Sequence, residues 1–289
     1  MNRNQVFDQL LEQNKGIIVA PGAANAITAR LIEEAGFPVV YITGAGLSNS
    51  MLGLADVGLL SFKEVLDQVK YICDAVEIPV IADGDTGFGN VVNLVRTVKE
   101  FEKAGVSAIQ LEDQVTPKKC GHFEGKQIIP AEEMVNKIKA GVDARQDSNF
   151  KIIARTDARS VEGIHSAIER AEQYIEAGAD ITFVEAPQTV EEMKLITTCL
   201  ARVPQVANMV EHGKTPILPN EDLEEMGFQI VLYANFLQRR AIKAMQESLA
   251  ELNLKQTTEG MMDSIITMKE RNRLTRLDMI KQLEEQYMK

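Results

Sequence analysis

Eight short apolar runs, separated by helical stretches over roughly 250 residues, predict a (β/α)8 (TIM) barrel followed by an extra helical extension. Four of the runs follow one repeated signature: a helix that ends in acid-x-Gly or acid-x-x-Gly, then a β-branched segment. These repeats are Glu34 to Ile42, Glu102 to Leu111, Glu176 to Val184 and Glu225 to Tyr233. Gly36, Gly105, Gly178 and Gly227 stand where a helix C-terminus needs a residue that accepts positive φ. The runs lack strict alternation, as strands buried on both faces of a parallel sheet do.

In chain order the strands are expected at Ile17 to Ala20, Val39 to Ile42, Pro79 to Ala82, Ala108 to Leu111, Lys151 to Ala154, Ile181 to Val184, Gln205 to Asn208 and Ile230 to Leu232. Helices are expected between them at Ala24 to Ala35, Phe62 to Ala75, Val91 to Ala104, Ala131 to Ala140, Val161 to Ala177 and Val190 to Cys199, with a further one at Phe236 to Leu252. The competing doubly wound sheet would carry Gly-x-Gly-x-x-Gly at its first strand turn, and this chain does not. Residues from Thr257 to Tyr287 continue as a long amphipathic helical pattern that a barrel does not need, which suggests a subunit contact. The expected division is a catalytic barrel over 1–255 and an oligomerising extension over 256–289.

The chain has 289 residues, more than a common domain of ~100–150 but compatible with one barrel. Hydrophobic residues make up 45% and charged residues 25%, with a mean hydropathy of −0.11, which excludes disorder as the dominant state. A formal charge of −11 disfavours nucleic acid and anionic membranes as partners. No stretch approaches the ~20 apolar residues of a membrane span, and the first residues are too polar for a signal peptide. Cys73, Cys120 and Cys199 form no Cys-x-x-Cys pair, so a cytoplasmic protein without a disulfide framework is expected. Cys73 and Cys199, inside apolar helices, are expected in the core.

In such a barrel the chemistry collects at the C-terminal strand ends. Polar residues stand there throughout: Thr43-Gly44-Ala45 after strand two, Asp83-Gly84-Asp85 after strand three, Glu112 and Asp113 after strand four, Arg155 to Asp157 after strand five, Glu185 after strand six and Asn208 in strand seven. Asp83, Asp85 and Glu112 in one pocket would repel one another, and a hard divalent cation would relieve that repulsion. Asp56 is a fourth, water-mediated candidate. Read alone, Asp83 to Gly87 also fits a plain Asx-rich turn. Lys118-Lys119-Cys120-Gly121-His122 is the densest reactive cluster: two lysines and a histidine beside a cysteine favour its thiolate and allow proton transfer.

At Asp83-Gly84-Asp85-Thr86-Gly87-Phe88-Gly89 and at Leu111-Glu112-Asp113-Gln114 leading to Lys118-Lys119-Cys120-Gly121-His122, the chain resembles the isocitrate lyase and phosphoenolpyruvate mutase superfamily. The resemblance spans the chain from Pro21-Gly22-Ala23 to Lys269-Glu270-Arg271-Asn272. It implies a Mg2+ site, with Mn2+ or Fe2+ as substitutes, held by Asp83 and Asp85 with Asp56 and Glu112 through water. It also implies homotetramers that exchange C-terminal helices. Cys120 implies the carbon–carbon lyase branch, since the phosphonate-handling members lack that cysteine. By the same resemblance Thr43, Gly44, Ala45 and Gly121 bind substrate, Arg155 pairs with its carboxylate, and Asn208, Met209 and Val210 line the far side. Cys120 would donate a proton to the carbanion of a retro-aldol cleavage, tuned by Lys118 and His122. Tyr41, Glu185 or a metal-bound water would take the hydroxyl proton.

One departure bears on substrate. Members that take 2-methylisocitrate carry an arginine after the phenylalanine of the last barrel helix, whereas Phe236 here precedes Leu237, with Arg239 and Arg240 further on. A methyl-bearing dicarboxylate such as 2,3-dimethylmalate, cleaved to pyruvate and propionate, is therefore expected ahead of a tricarboxylate cleaved to pyruvate and succinate. The alternatives are an oxaloacetate hydrolase or phosphonopyruvate-type enzyme, and a non-catalytic barrel that binds an acidic metabolite.

Overall fold

The computed structural model describes residues 1–13, 16–121 and 123–288. Eight parallel strands are present: β1 (Ile18–Ala23), β2 (Val40–Ile42), β3 (Val80–Asp83), β4 (Ala108–Glu112), β5 (Lys151–Thr156), β6 (Ile181–Val184), β7 (Val206–Asn208) and β8 (Ile230–Tyr233). Their order is β6-β5-β4-β3-β2-β1-β8-β7. A single parallel bridge, Thr182 to Gln205, joins β6 to the start of β7, and Thr182 Oγ1 donates to Gln205 Oε1 at 2.8 Å across that seam. The sheet is thus a nearly closed (β/α)8 barrel. The four helix-ending glycines have φ of +85°, +93°, +103° and +99°, as a helix that turns straight into a strand requires.

The barrel helices are α1 (Arg3–Gln13), α2 (Ala26–Glu34), α3 (Gly44–Leu52), α4 (Phe62–Ala75), α5 (Val91–Lys103), α6 (Ala131–Ala144), α7 (Ile164–Glu176), α8 (Val190–Cys199) and α9 (Asn220–Glu225), and α10 (Phe236–Lys255) follows β8. Helix α7 starts three residues later than the periodicity suggests, because 158–160 form a 3-10 turn and Gly163 takes φ +96°.

Strand residues divide by period two. Val40, Ile42, Val80, Ala82, Ile109, Leu111, Ile152 and Ala154 face outward into a cluster shared with α2, α4, α5 and α6. The alternate set, Ile18, Ala20, Val39, Tyr41, Ile81, Ala108, Ile153, Ile181, Phe183, Val206, Ile230 and Leu232, fills the interior. Phe7 of α1 belongs to this inner cluster and is fully buried. It plugs the end where the strands begin, a burial worth ~2–3 kcal/mol, and Asp8 beside it pairs with Lys151 at 2.5 Å. The interior register continued past the plugged core places Thr43, Asp83, Gln110, Glu112, Arg155, Glu185 and Asn208 inward at the opposite end.

The chain forms two compact units, Met1–Gln238 and Arg239–Lys289. In the second unit the expected single long helix over 257–287 is broken. A 3-10 turn at Met262–Ser264 precedes α11 (Met268–Leu274) and α12 (Leu277–Tyr287). Thr267 caps α11 by accepting from Glu270 N, and Arg276 at φ +54° stops propagation into α12. Among the described residues of this unit only Met261 and Leu274 are buried. Cys73 lies in the core, and burial pushes its thiol up to about 12. Cys199 does not: as the last residue of α8 it is exposed, which corrects the core placement expected for it.

Candidate active site

Helix α3 begins at the site. Thr43 caps it, accepting from Gly46 N through Oγ1 at 3.1 Å, so the Gly44 and Ala45 N–H groups form a helix N-terminus with no intrahelical acceptor. Only glycine fits at 44, since a Cβ there would stand 2.8 Å from Asp83 Oδ2. Two free N–H donors and the Asp83 carboxylate are thereby brought within one side chain's width. Thr43 Oγ1 also donates to Asn235 Oδ1 at 3.1 Å, bringing in a residue that follows β8.

On the carboxylate wall, Asp83 Oδ1 accepts from Asp85 N at 3.1 Å and from Gln110 Nε2 at 3.4 Å. The Lys118 ammonium reaches in from the loop after β4, 2.6 Å from the Asp56 carboxylate and 2.9 Å from Asp85 Oδ1. Burial pushes this lysine down, but Asp85, Glu112, Asp83 and Asp56 together hold it well above its ordinary range. One ammonium cannot balance three aspartates. Burial, with Asp83 and Asp56 adding to it against Lys118, raises Asp85 to about 6.

Glu112 is drawn instead toward Arg155, its neighbour in register, at 3.4 Å from Nε. Burial, outweighing Arg155, lifts its carboxyl well above the usual range, and its Oε1 is buried with no hydrogen-bond partner. Among the described residues no three His, Cys, Asp or Glu side chains form a preformed metal cage. The set still suits a hard cation that takes one or two carboxylates plus water. All its donors are oxygen, its charge is undercompensated, and Glu112 keeps an unused acceptor.

Arg155 lies over the Phe183 ring at 5.3 Å. Its Nε and Nη2 engage Asp157 at 3.0 and 3.1 Å, and Nη1 stands 3.6 Å from Glu185 Oε2. The Nε/Nη2 edge is therefore spent inside the protein, and a substrate carboxylate would meet the Nη1 side. Asp157, Glu185 and Glu112 hold the guanidinium well above its ordinary range despite burial. Arg155 and Lys126 keep Asp157 below its ordinary range, again against burial. Asn208 Nδ2 donates to Glu185 Oε2 at 3.5 Å, while its Oδ1 is buried without a partner. Tyr41 OH donates to Gln110 Oε1 at 3.3 Å; burial and then Asp83 push the phenol well above its ordinary range. It is a proton-bearing donor at neutral pH, poorly suited to act as the base.

The loop bearing Cys120 roofs the pocket. Cys120 N donates to the Asp56 carbonyl at 3.0 Å. Gly121 is pressed so closely on the site that a Cβ would stand 2.5 Å from Arg155 Nη2 and 2.7 Å from Glu185 Cγ. The cavity, about 40 Å³, is lined by Tyr41, Thr43, Ala45, Asp83, Lys118, Cys120, Gly121, Arg155, Glu185, Asn208, Val210 and Asn235, among others. His122 lies outside the described residues. Met209 is turned the other way, buried with Met193, Leu223 and Phe228 behind the strands, because neighbouring residues of an extended segment face opposite sides. Sequence reasoning gave no role to Gln110, Lys126, Asp157 or Asn235. Gln110 and Asn235 carry a usable signal, being in inward register or just beyond a strand end.

The family described as phosphoenolpyruvate phosphomutase matches residues 7–253. The chain belongs to the phosphoenolpyruvate mutase and isocitrate lyase superfamily. It is 50% identical to 2,3-dimethylmalate lyase of Eubacterium barkeri, over 99% of both chains. It is 45% identical to 2-methylisocitrate lyase of Aeropyrum pernix, over 91% of this chain and 83% of that one. A crystal structure of a 2,3-dimethylmalate lyase superposes with a TM-score of 0.94 at 33% identity, covering 99% of this chain and 95% of the other. Phosphonopyruvate hydrolase in complex with oxalate and Mg2+ superposes with a TM-score of 0.91 at 32% identity over the whole of both chains. Membership explains why the Asp83 and Cys120 motifs occur together on one barrel face.

Proposed function

We propose that the chain is a Mg2+-dependent carbon–carbon lyase that cleaves a methyl-substituted 2-hydroxydicarboxylate, 2,3-dimethylmalate, into pyruvate and propionate. The observation that carries this is the position of Cys120, which lines one cavity with the Asp56 and Asp83 carboxylates, Lys118 and the Arg155–Glu185 pair. A binding module has no need of a proton-bearing thiol there. Asp83 and Asp85 would hold the cation, with Asp56 and Glu112 through water. Mg2+ supplies Lewis acidity that lowers the pKa of the 2-hydroxyl; Mn2+ or Fe2+ are substitutes of the same kind.

The chain's own residues do the rest. The Gly44 and Ala45 N–H groups, behind Thr43, bind the 2-carboxylate, and Arg155 Nη1, with Asn208 and Val210 beside it, orients the second. Glu185 takes the hydroxyl proton. As the 2-carbonyl forms, the C2–C3 electron pair passes to C3, and Cys120 Sγ gives its proton to that carbon. Lys118, paired with Asp56 and Asp85, holds the loop, and Gly121 excludes water over Arg155. Leu237, packed into the apolar cluster around the sheet, leaves no cation after Phe236 for a third carboxylate. The C-terminal unit's exposed Leu249, Ile265, Ile266, Met268 and Leu283 are read as the contact of a homotetramer, which sedimentation equilibrium tests against a monomer. A reducing cytoplasm suits a Cys120 that works as a thiol.

The test is a substrate panel with and without chelator, read by coupling pyruvate to NADH oxidation. Mg2+-dependent pyruvate from dimethylmalate supports the reading, and a preference for methylisocitrate would move it to the tricarboxylate branch. Absent pyruvate from both, with oxalate formed from oxaloacetate, would refute it.

A further inference from the structure

We propose that Lys126 is a positioning residue that locks the Cys120 loop in register with Arg155. Resting on the lyase reading, this extends the site to a residue that touches no substrate-facing surface. Lys126 is 7% exposed. Its Nζ donates to the Gly121 carbonyl and pairs with Asp157 Oδ1 at 2.7 Å. Asp157 is the same carboxylate that grips Arg155 through Nε and Nη2.

Asp157 is itself fixed from behind. Its N–H donates to Asp113 Oδ1 at 2.9 Å, and Asp113 Oδ2 accepts from Thr156 Oγ1 at 2.7 Å and from Tyr174 OH at 2.9 Å. The result is a rigid post built on β4, β5 and α7. The first half of the loop is tied elsewhere, by Lys118 to Asp56 and by Gln114 to both the N–H and the carbonyl of Lys119. Lys126 is what ties the Gly121 end to the Arg155 post.

The tie has little tolerance, because Gly121 is seated on Arg155 Nη2 and Glu185 Cγ too tightly for even a Cβ. A loop that slips by an ångström either strikes Arg155 or lifts Cys120 away from the reacting carbon, a displacement of a size that costs roughly a hundredfold in rate. A lysine suits this post. Its single flexible ammonium can serve a carbonyl and a carboxylate together, whereas an arginine fork would compete with Arg155 for both Asp157 oxygens.

The test uses K126M and K126Q in the full chain without substrate, following iodoacetamide alkylation of each cysteine by peptide mapping. Cys120 alkylation is expected to rise about tenfold or more in K126M and less in K126Q, with buried Cys73 staying protected. If K126M does not fold, K126Q carries the test with its smaller rise. Unchanged Cys120 reactivity in a folded variant overturns the proposal, as does a rise at Cys73 equal to that at Cys120, which would mark general loosening. With dimethylmalate, kcat is expected to fall tenfold to a hundredfold while KM stays within about threefold. A wild type without lyase activity would sink the functional reading and leave the alkylation result standing.

Discussion

Replacing Gly121 by alanine adds one methyl group where there is no room for it. The new Cβ would lie 2.5 Å from Arg155 Nη2, about 0.9 Å short of the distance at which ordinary contact begins. Arg155 cannot swing aside, because Nε and Nη2 are held by Asp157 at 3.0 and 3.1 Å, nor can Glu185 Cγ, at 2.7 Å from the same point and buried. The loop has to retreat by most of that 0.9 Å, taking Cys120 with it. A displacement of this size in a proton donor costs roughly a hundredfold in kcat, or ~2.7 kcal/mol on the barrier. Substrate affinity should change far less, since the Gly44 and Ala45 N–H groups proposed to bind the 2-carboxylate belong to another strand end. The assay is steady-state pyruvate release, with the melting temperature as a check on folding. A kcat within threefold of wild type would show that loop position does not control turnover and would refute the reasoning.

Cys120→Ala is expected to lose about 10²- to 10⁴-fold in kcat while Mg2+ and ligand binding persist by calorimetry; unchanged turnover would remove the thiol from proton transfer. The raised pKa of Asp85, about 6 against the usual 3.8, means the folded metal-free protein favours the neutral carboxyl. Stabilisation present below about 3.8 is therefore lost as pH rises to about 6, on the order of 3 kcal/mol in denaturant titrations of the chelated protein. Mg2+ binding needs the ionised form, so calorimetric affinity should be roughly tenfold weaker at pH 5 than at pH 7, and a flat profile would exclude Asp85 as a ligand.

Most of the barrel was legible because its signal is local. A glycine that ends a helix and an apolar run that follows within a few residues mark a strand wherever the chain carries both, as at Gly105 and Ala108. The rule that a barrel's chemistry collects at the C-terminal strand ends then placed Asp83, Glu112, Arg155 and Glu185 at one end without any knowledge of their partners. What stayed hidden depends on residues distant in sequence. Lys118 enters the aspartate cluster through a reach of 62 positions to Asp56, and Lys126 meets Asp157 across 31. Neither pairing has a spacing rule. Met209 was misplaced for a simpler reason: beside Asn208 it shares the sequence neighbourhood of the pocket but faces the opposite side of the sheet. The C-terminal pattern looked continuous because periodicity does not register a single left-handed residue such as Arg276.

Cys120 is proposed to protonate the carbon released by C–C cleavage. Cleaving dimethylmalate in deuterium oxide with Mg2+ and examining the propionate by NMR tests it most directly. One deuterium at C2 in a single stereochemical sense is expected, with turnover nearly abolished in C120S. Propionate without deuterium, label scrambled between both faces, or full turnover in C120S would contradict it.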